Sequence, residues 1–274
     1  MSKKLHWTGE RLETYIFNES TIEHLHRYGI AMELVANKKV LDIACGEGYG
    51  SSLLAAKALH VTGMDIDASA IESATAKYKK ENLSFIISNA EKISAPDSTF
   101  DIVVSFETLE HLQHQEAMIT EIKRVLRPDG ILLISTPDKK NYTDNRNYKN
   151  PYHLKELYRN EFEALLKSTF RHIRIYDQQM MYASYINTDD ITGLDIYSGD
   201  YTDIEKNKKS NPLYLIAIAS DNELPHFSNS LFNGNSIVEQ ALTEREEMVT
   251  KTITYRLGHF ILFPFKLIRK IFKK

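Results

Sequence analysis

Between residues 38 and 137 the period of apolar and polar positions changes several times. Runs of β-forming residues at 39–45, 60–65, 83–88, 100–106 and 130–136 read as strands. Three stretches between them carry helical spacing: SSLLAAKAL, SAIESATAKYKK with Asp67 placed as its N-cap, and HQEAMITEIKRVL, which stops at RPDG. Strand alternating with helix predicts parallel strands joined by right-handed crossovers, and therefore an open α/β sheet covered on both faces. Such a sheet binds ligands beyond the carboxyl ends of its strands, where the strand order reverses.

After residue 137 the pattern changes. STPDKKNYTDNRNYKNPYHLKEL is a polar loop with prolines at both ends, and it leads into a helix running to about Ser168. FRHIRIYDQQ alternates as a strand does, and PLYLIAIAS at 212–220 reads as a mostly buried last strand. The stretch 180–211 between them is long for a connection and is expected to form a lid or binding loop, with a plain surface excursion as the alternative. Three regions follow: an N-terminal lid or helical segment at 1–37, an α/β domain at 38–220 and a tail at 221–274.

Composition narrows the picture only a little. The 274 residues are 42% hydrophobic and 26% charged, an ordinary globular balance, and a net charge of −3 gives no overall pull toward nucleic acid. A single cysteine, Cys45, excludes an internal disulfide or a cysteine-based zinc site and fits a reducing cytoplasm. The start, MSKKLHWTGE, lacks the apolar stretch of an export signal, so a cytoplasmic location is expected.

Chemistry gathers at the predicted strand ends. In VLDIACGEGYG, Gly46, Gly48 and Gly50 follow the first strand, and glycine is used where backbone takes positive φ or something approaches it closely. A helix starting around 48–51 directs free N–H groups toward whatever lies over the glycines. Asp42 offers a buried carboxylate to pin the turn. Asp65 closes the second strand, where a carboxylate can accept both hydroxyls of a ribose. Asn89 and the amide of Ala90 follow the third strand and can read an adenine edge. The third glycine stands at 50, whereas a dinucleotide fingerprint wants it at 51, which is Ser. That spacing favours a ligand without a pyrophosphate.

VLDIACGEGYG, MDID, NAE, FDIVVSFETLEHL and RVLRPDGILLISTP, in this order over 38–137, resemble the successive motifs of class I S-adenosylmethionine-dependent methyltransferases. The resemblance implies a Rossmann-like, seven-stranded, mainly parallel sheet with an antiparallel last strand, and S-adenosylmethionine as cofactor. It places Asp42, Gly46, Gly48, Gly50, Asp65, Ile66, Asn89, Ala90, Glu91 and Phe106 around that cofactor. Asn89 stands where such enzymes often carry Asp; its amide oxygen can still accept from the adenine amino group. More narrowly, TGERL, EHLHRYGIAMELV and NPYHLKELYRNEFEALLKSTF look like methyltransferases encoded with bacterial O-antigen, capsule and other glycan assembly enzymes. That likeness implies transfer to an oxygen, hydroxyl or phosphate, of a sugar or glycan precursor, with the nitrogen of an amino sugar as the other acceptor.

For transfer to a neutral hydroxyl a base is needed, and His111, just past the fourth strand, stands in the right place to take or orient that proton; a helix histidine with satisfied hydrogen bonds is the alternative. His153 lies past the fifth strand near the same rim, as a catalytic group or a helix-entry residue. Glu107 and Glu110 are expected to frame the acceptor, with one of the two facing solvent. Arg27 is suited to a methionine carboxylate, or else to a surface ion pair on an amphipathic helix, and Arg11, His26 and Tyr28 share its segment. Trp7 and Tyr15 are expected to wall a lid. His24 and His26, two apart, fall on different helix faces and suggest no metal. From Thr250 onward there are seven Lys or Arg and no acid around FILFPF, a run too short to span a bilayer. A basic amphipathic helix over 250–274 is expected to lie on an anionic membrane surface, with a dimer contact or a disordered tail as alternatives. Two other functions stay open: a nicotinamide-dependent sugar oxidoreductase and a non-catalytic cofactor-binding scaffold of glycan assembly.

Overall fold

The structure, a computed structural model, describes residues 12–184, 194–199, 201–206 and 211–271. Trp7 and Arg11 lie outside the described residues. Glu23–Leu231 belong to one compact unit; Thr14–Ile22 with Phe232–Lys274 belong to a second.

The first unit is built on a seven-stranded sheet: β1 (Lys39–Ile43), β2 (His60–Asp65), β3 (Leu83–Ile87), β4 (Phe100–Phe106), β5 (Leu126–Pro137), β6 (His172–Gln178) and β9 (Tyr214–Ser220). The order is β3-β2-β1-β4-β5-β9-β6, parallel except that β9 runs antiparallel to both β5 and β6. The expected Rossmann-like α/β architecture is therefore present, and strand order reverses between β1 and β4. Alternation along β1 sorts side chains to the two faces. Leu41 and Ile43 join a core with Met118, Ile119 and Ile122 of α4 (Gln115–Val125) and Phe162 and Leu166 of α5 (Arg159–Lys167). Val40 joins the opposite core with Tyr28 and Ala31 of α1 (Glu19–Ala31) and Leu54 of α2 (Tyr49–Leu54). A sheet buried on both faces has water only at its strand ends, and functional side chains collect there.

The expected N-cap is in place. Asp67 accepts the N–H groups of Ser69 and Ala70 at the start of α3 (Ala68–Lys77), at 2.8 and 3.4 Å. SSLLAAKAL departs from expectation: helix covers only Tyr49–Leu54, and the carbonyls of Ala55 and Ala58 accept from Asn82 Nδ2 instead of continuing the ladder. Within 180–211 the described residues include a short hairpin, β7 (Tyr197–Gly199) paired with β8 (Ile204–Lys206). In the second unit the tail forms α6 (Asn235–Thr250) and α7 (Ile253–Ile271). Among the described residues no helix is long and apolar enough to cross a membrane.

Candidate active site

The turn after β1 is held by the tip of β2. Asp65 Oδ2 accepts the Gly46 N–H and Oδ1 accepts the Asp67 N–H, each at 2.9 Å, so each oxygen keeps lone-pair capacity for a further donor. Ala44 and Gly46 (both φ 54°) and Gly48 (φ 84°) alternate through the left-handed region. Ala44 carries a Cβ there, a strained conformation of the kind that collects at functional sites. Glu107, directly past β4, is a second such residue, at φ 52°. The two strained residues thus sit at the ends of the adjacent strands between which the order reverses.

Two of the three glycines have close packing as a reason. A Cβ on Gly50 would lie 1.9 Å from Cζ of Tyr28, and one on Gly48 would lie 2.7 Å from Cζ of Phe85. They let α1 and β3 approach the turn. Asp42 is fully buried, accepting from Ser51 Oγ at 2.6 Å and Tyr28 Oη at 3.2 Å. Burial pushes its carboxyl up to about 7 against the pull of those two hydrogen bonds. Asp42 therefore ties α1 and α2 to the sheet, and the turn itself is pinned by Asp65.

Beyond the tips of β2 and β3 two apolar side chains face water: Ile66 is 70% exposed and Ile87 57%. Asn89 is exposed, its Oδ1 accepts the Glu91 N–H at 2.8 Å, and Ala90 and Glu91 are half-buried beside it. Phe106 is buried edge-on against Tyr28, with ring centroids 5.1 Å apart. Arg27 is not on the surface, so the exposed ion pair is excluded. Its side chain is wholly buried: Nε donates to Gln178 Oε1 at 2.6 Å, Nη1 lies 3.1 Å from Glu107 Oε1, and the guanidinium covers the Tyr214 ring at 4.5 Å. Nη1 and Nη2 make no properly aligned hydrogen bond among the described residues. On the same helix, His24 Nδ1 pairs with Tyr49 Oη at 2.9 Å and His26 Nε2 with Ser230 Oγ at 2.9 Å. Burial holds His24 down at about 3, so it is neutral.

Past β4 a second set of residues converges. Leu109–His111 form one 3-10 turn, with Glu110 buried and His111 about one-third exposed. The loop at 150–155 is tied to this turn: Leu154 and Lys155 donate their N–H groups to the Glu110 carbonyl at 2.9 and 3.1 Å. Gln115, fully buried, donates Nε2 to the carbonyls of Leu109 and Lys155 at 2.8 and 2.7 Å. These bonds bring His153 beside His111, ring centroids 5.1 Å apart and edge-on. His111 Nδ1 lies 3.1 Å from the Tyr152 carbonyl, which can only accept, so Nδ1 is the donor. Glu107 accepts from Ser135 Oγ at 2.5 Å, and Glu110 Oε2 from Thr136 Oγ1 at 3.2 Å, so both carboxylates are tethered to β5.

Sequence reasoning missed Gln115, Gln178 and Tyr214. Gln115 did leave a signal, since it falls on the apolar stripe of α4 with Met118, Ile119, Ile122 and Val125, and a polar residue there is buried. Gln178 and Tyr214 lie at strand ends with no local mark of their partners.

Residues 41–134 match the family described as Methyltransferase domain. A Mycolicibacterium smegmatis protein named "Probable S-adenosylmethionine-dependent methyltransferase" is 34% identical over 164 residues, 59% of this chain and 63% of that one. A Rickettsia conorii protein named "Ubiquinone biosynthesis O-methyltransferase" is 33% identical over 105 residues, 37% of this chain and 36% of its own. The chain thus spans less than two thirds of the length of these curated relatives. Among solved structures, PH0226 protein from Pyrococcus horikoshii OT3 shares the fold, with a TM-score of 0.52 at 23% identity over 73% of this chain and 90% of that one. The strand tips fit the S-adenosylmethionine in the first relative's name: a carboxylate with capacity for a diol at Asp65, apolar side chains at Ile66 and Ile87, and at Arg27 a buried guanidinium whose Nη2 has no hydrogen-bond partner among the described residues. Residues 41–134 are thus similar to a methyltransferase domain, and they lie within a Rossmann-like sheet.

Proposed function

We propose that the protein transfers a methyl group from S-adenosylmethionine to an oxygen, hydroxyl or phosphate, of a sugar or glycan precursor used in surface polysaccharide assembly. The observation that carries the reading is the polar rim past β4, where His111 Nε2 lies 3.9 Å from the buried Glu110 carboxylate and His153 packs against the same ring. S-adenosylmethionine, when bound, supplies a methyl already activated by its sulfonium.

The chain's own task is then to position and to exclude water. Asp65 accepts the ribose hydroxyls; Gly46, held at Asp65, lets the nucleoside approach the turn. Asn89, Ala90 and Glu91 border the adenine edge, and Ile66 and Ile87 cover its face. Arg27, whose Nη1 is paired with Glu107, offers Nη2 to the methionine carboxylate. Asp42, Gly48, Gly50 and Phe106 act from behind, by fixing Tyr28 and α2. His111 orients the acceptor hydroxyl and takes its proton as the new bond forms, while His153 packs against it.

Oxygen as acceptor agrees with the relative named for O-methylation. A polyhydroxylated acceptor, rather than a greasy one, is supported by half-exposed Tyr148 and Tyr152 on the loop beside this polar rim, since sugars stack on tyrosine faces and bond to carboxylates. Incubation with methyl-labelled cofactor and a panel of nucleotide sugars, phosphorylated sugars, extracted glycolipids and quinone phenols tests the reading. Label on a sugar oxygen or phosphate is expected; label on a phenol alone overturns the glycan acceptor, and none with either class overturns the activity.

We also propose that α7 lies on the cytoplasmic face of an anionic membrane. Ile253, Leu257, Phe260 and Ile261 recur at helical spacing, are 56–79% exposed, and share the helix with Arg256. Sedimentation with phosphatidylglycerol vesicles but not with phosphatidylcholine vesicles is expected, reduced by Phe260→Asp; equal binding to both, or to neither, overturns it.

A further inference from the structure

The rim past β4 holds more metal-ligating chemistry than a base needs. Glu110, His111 and His153 each present one ligand-type atom, and these atoms all lie within 4.8 Å of one another. We propose that this cluster is a divalent-cation site, suited to Mn2+ or Zn2+, and that the ion binds the acceptor oxygen. The proposal deepens the methyltransferase reading, on which it rests, and replaces proton transfer to His111 by acidification of the acceptor on the ion.

Four observations carry it. First, both imidazoles are oriented from behind. The Tyr152 carbonyl holds His111 Nδ1 at 3.1 Å, and the Glu156 carboxylate holds His153 Nδ1 at 2.6 Å. A carbonyl or carboxylate on one ring nitrogen is the arrangement that fixes the tautomer of metal-binding histidines, leaving Nε2 to coordinate. Second, Glu110 is a buried carboxylate with its second oxygen toward the rings: Oε1 lies 3.9 Å from His111 Nε2. Third, the ligands sit on tethered backbone, through the two N–H bonds to the Glu110 carbonyl and the Gln115 bridge. Fourth, two imidazoles and one carboxylate leave coordination positions open, the arrangement a Lewis acid requires, and the mixed N and O set suits borderline divalent ions.

Asn150 Nδ2 lies 3.0 Å from His153 Nε2, and its Oδ1 accepts the Tyr152 N–H. In the ion-free protein this amide occupies the His153 lone pair; it is the contact an ion displaces. With the ion bound, His111 Nε2 is a ligand and no longer a base. The acceptor hydroxyl, acidified on the ion, loses its proton to solvent at the exposed side of His111. Its oxygen forms the new C–O bond as the S–CH3 bond breaks, leaving the neutral thioether.

The test is calorimetric titration of chelator-treated, dialysed protein with Mn2+ and with Zn2+, beside a titration of the same sample with S-adenosylmethionine. One ion per chain is expected, weakened at least about 10-fold in Glu110→Gln and in His153→Gln. Methyl transfer should fall on chelation and return with Mn2+. Visible d–d bands of Co2+ in the unmodified protein report nitrogen and carboxylate ligands even if a variant fails to fold. S-adenosylmethionine binding without ion binding, or ion binding indifferent to both variants, overturns the site. Failure to bind S-adenosylmethionine overturns the methyltransferase reading instead, whatever the ion does.

Discussion

The two halves of the site are built by different means. At the tips of β1, β2 and β3 the groups lie within a few residues of a strand end and are fixed by backbone geometry, as Gly46 is by Asp65. Past β4 the groups come from segments far apart, His111 against the Tyr152 carbonyl 41 residues on, and buried side chains hold them together. The first half is a property of the fold and suits a ligand common to many such domains. The second depends on one loop and one glutamine, and suits the part of the reaction that differs between enzymes.

Substitutions can break either half without the other. Asp65→Ala should have the largest effect: it removes the proposed acceptor for a ribose diol and the anchor of Gly46, and charged hydrogen bonds of about 1.5–3 kcal/mol each imply at least ~100-fold weaker cofactor binding by calorimetry. Gly50→Ala should act on folding instead. Its Cβ would overlap the Tyr28 ring, so a loss of roughly 2–3 kcal/mol is expected in urea unfolding, recovered in part by adding Tyr28→Leu.

Asp42→Asn sharpens the comparison through pH. The folded carboxyl titrates near 7 and the unfolded one near 3.8, so between those values the folded protein binds the extra proton and its stability falls as pH rises. The asparagine variant lacks this slope. It should gain on the wild type across pH 4 to 7, by roughly 4 kcal/mol at pH 8, with the difference levelling off above pH 7. A gap that does not grow over that window would show that Asp42 is ionised throughout.

Gln115→Leu should give the smallest change in stability, about 1–2 kcal/mol, because it leaves the Leu109 and Lys155 carbonyls without their donor. It should lower turnover several-fold with cofactor affinity kept. Equal losses in both would place Gln115 in the general scaffold.

This contrast also explains what could be read from the chain alone. The strands and the Asp67 cap follow from local periodicity and hydrogen bonding, and they appear where expected. The glycine turn was legible as a site, but two of its glycines serve packing: Gly50 faces Tyr28 and Gly48 faces Phe85, contacts that no spacing rule reveals. Arg27 was legible as a candidate carboxylate partner, yet its burial against Gln178 and Tyr214 depends on strands some 150 residues away. The short reach of α2 was hidden for the same reason, since Asn82, in another segment, binds the carbonyls of Ala55 and Ala58 just past its end. The pairing of His111 with His153 needed the loop tethers, which lie in backbone groups that carry no sequence signature.

The most direct test is a crystal structure with S-adenosylhomocysteine bound. Ribose hydroxyls within hydrogen-bonding distance of the Asp65 carboxylate, adenine over Ile66 and Ile87, and the sulfur directed at the rim of His111 are the expected result. Density for the nucleoside on any other surface, with the tips of β1 and β2 free of it, would contradict the account.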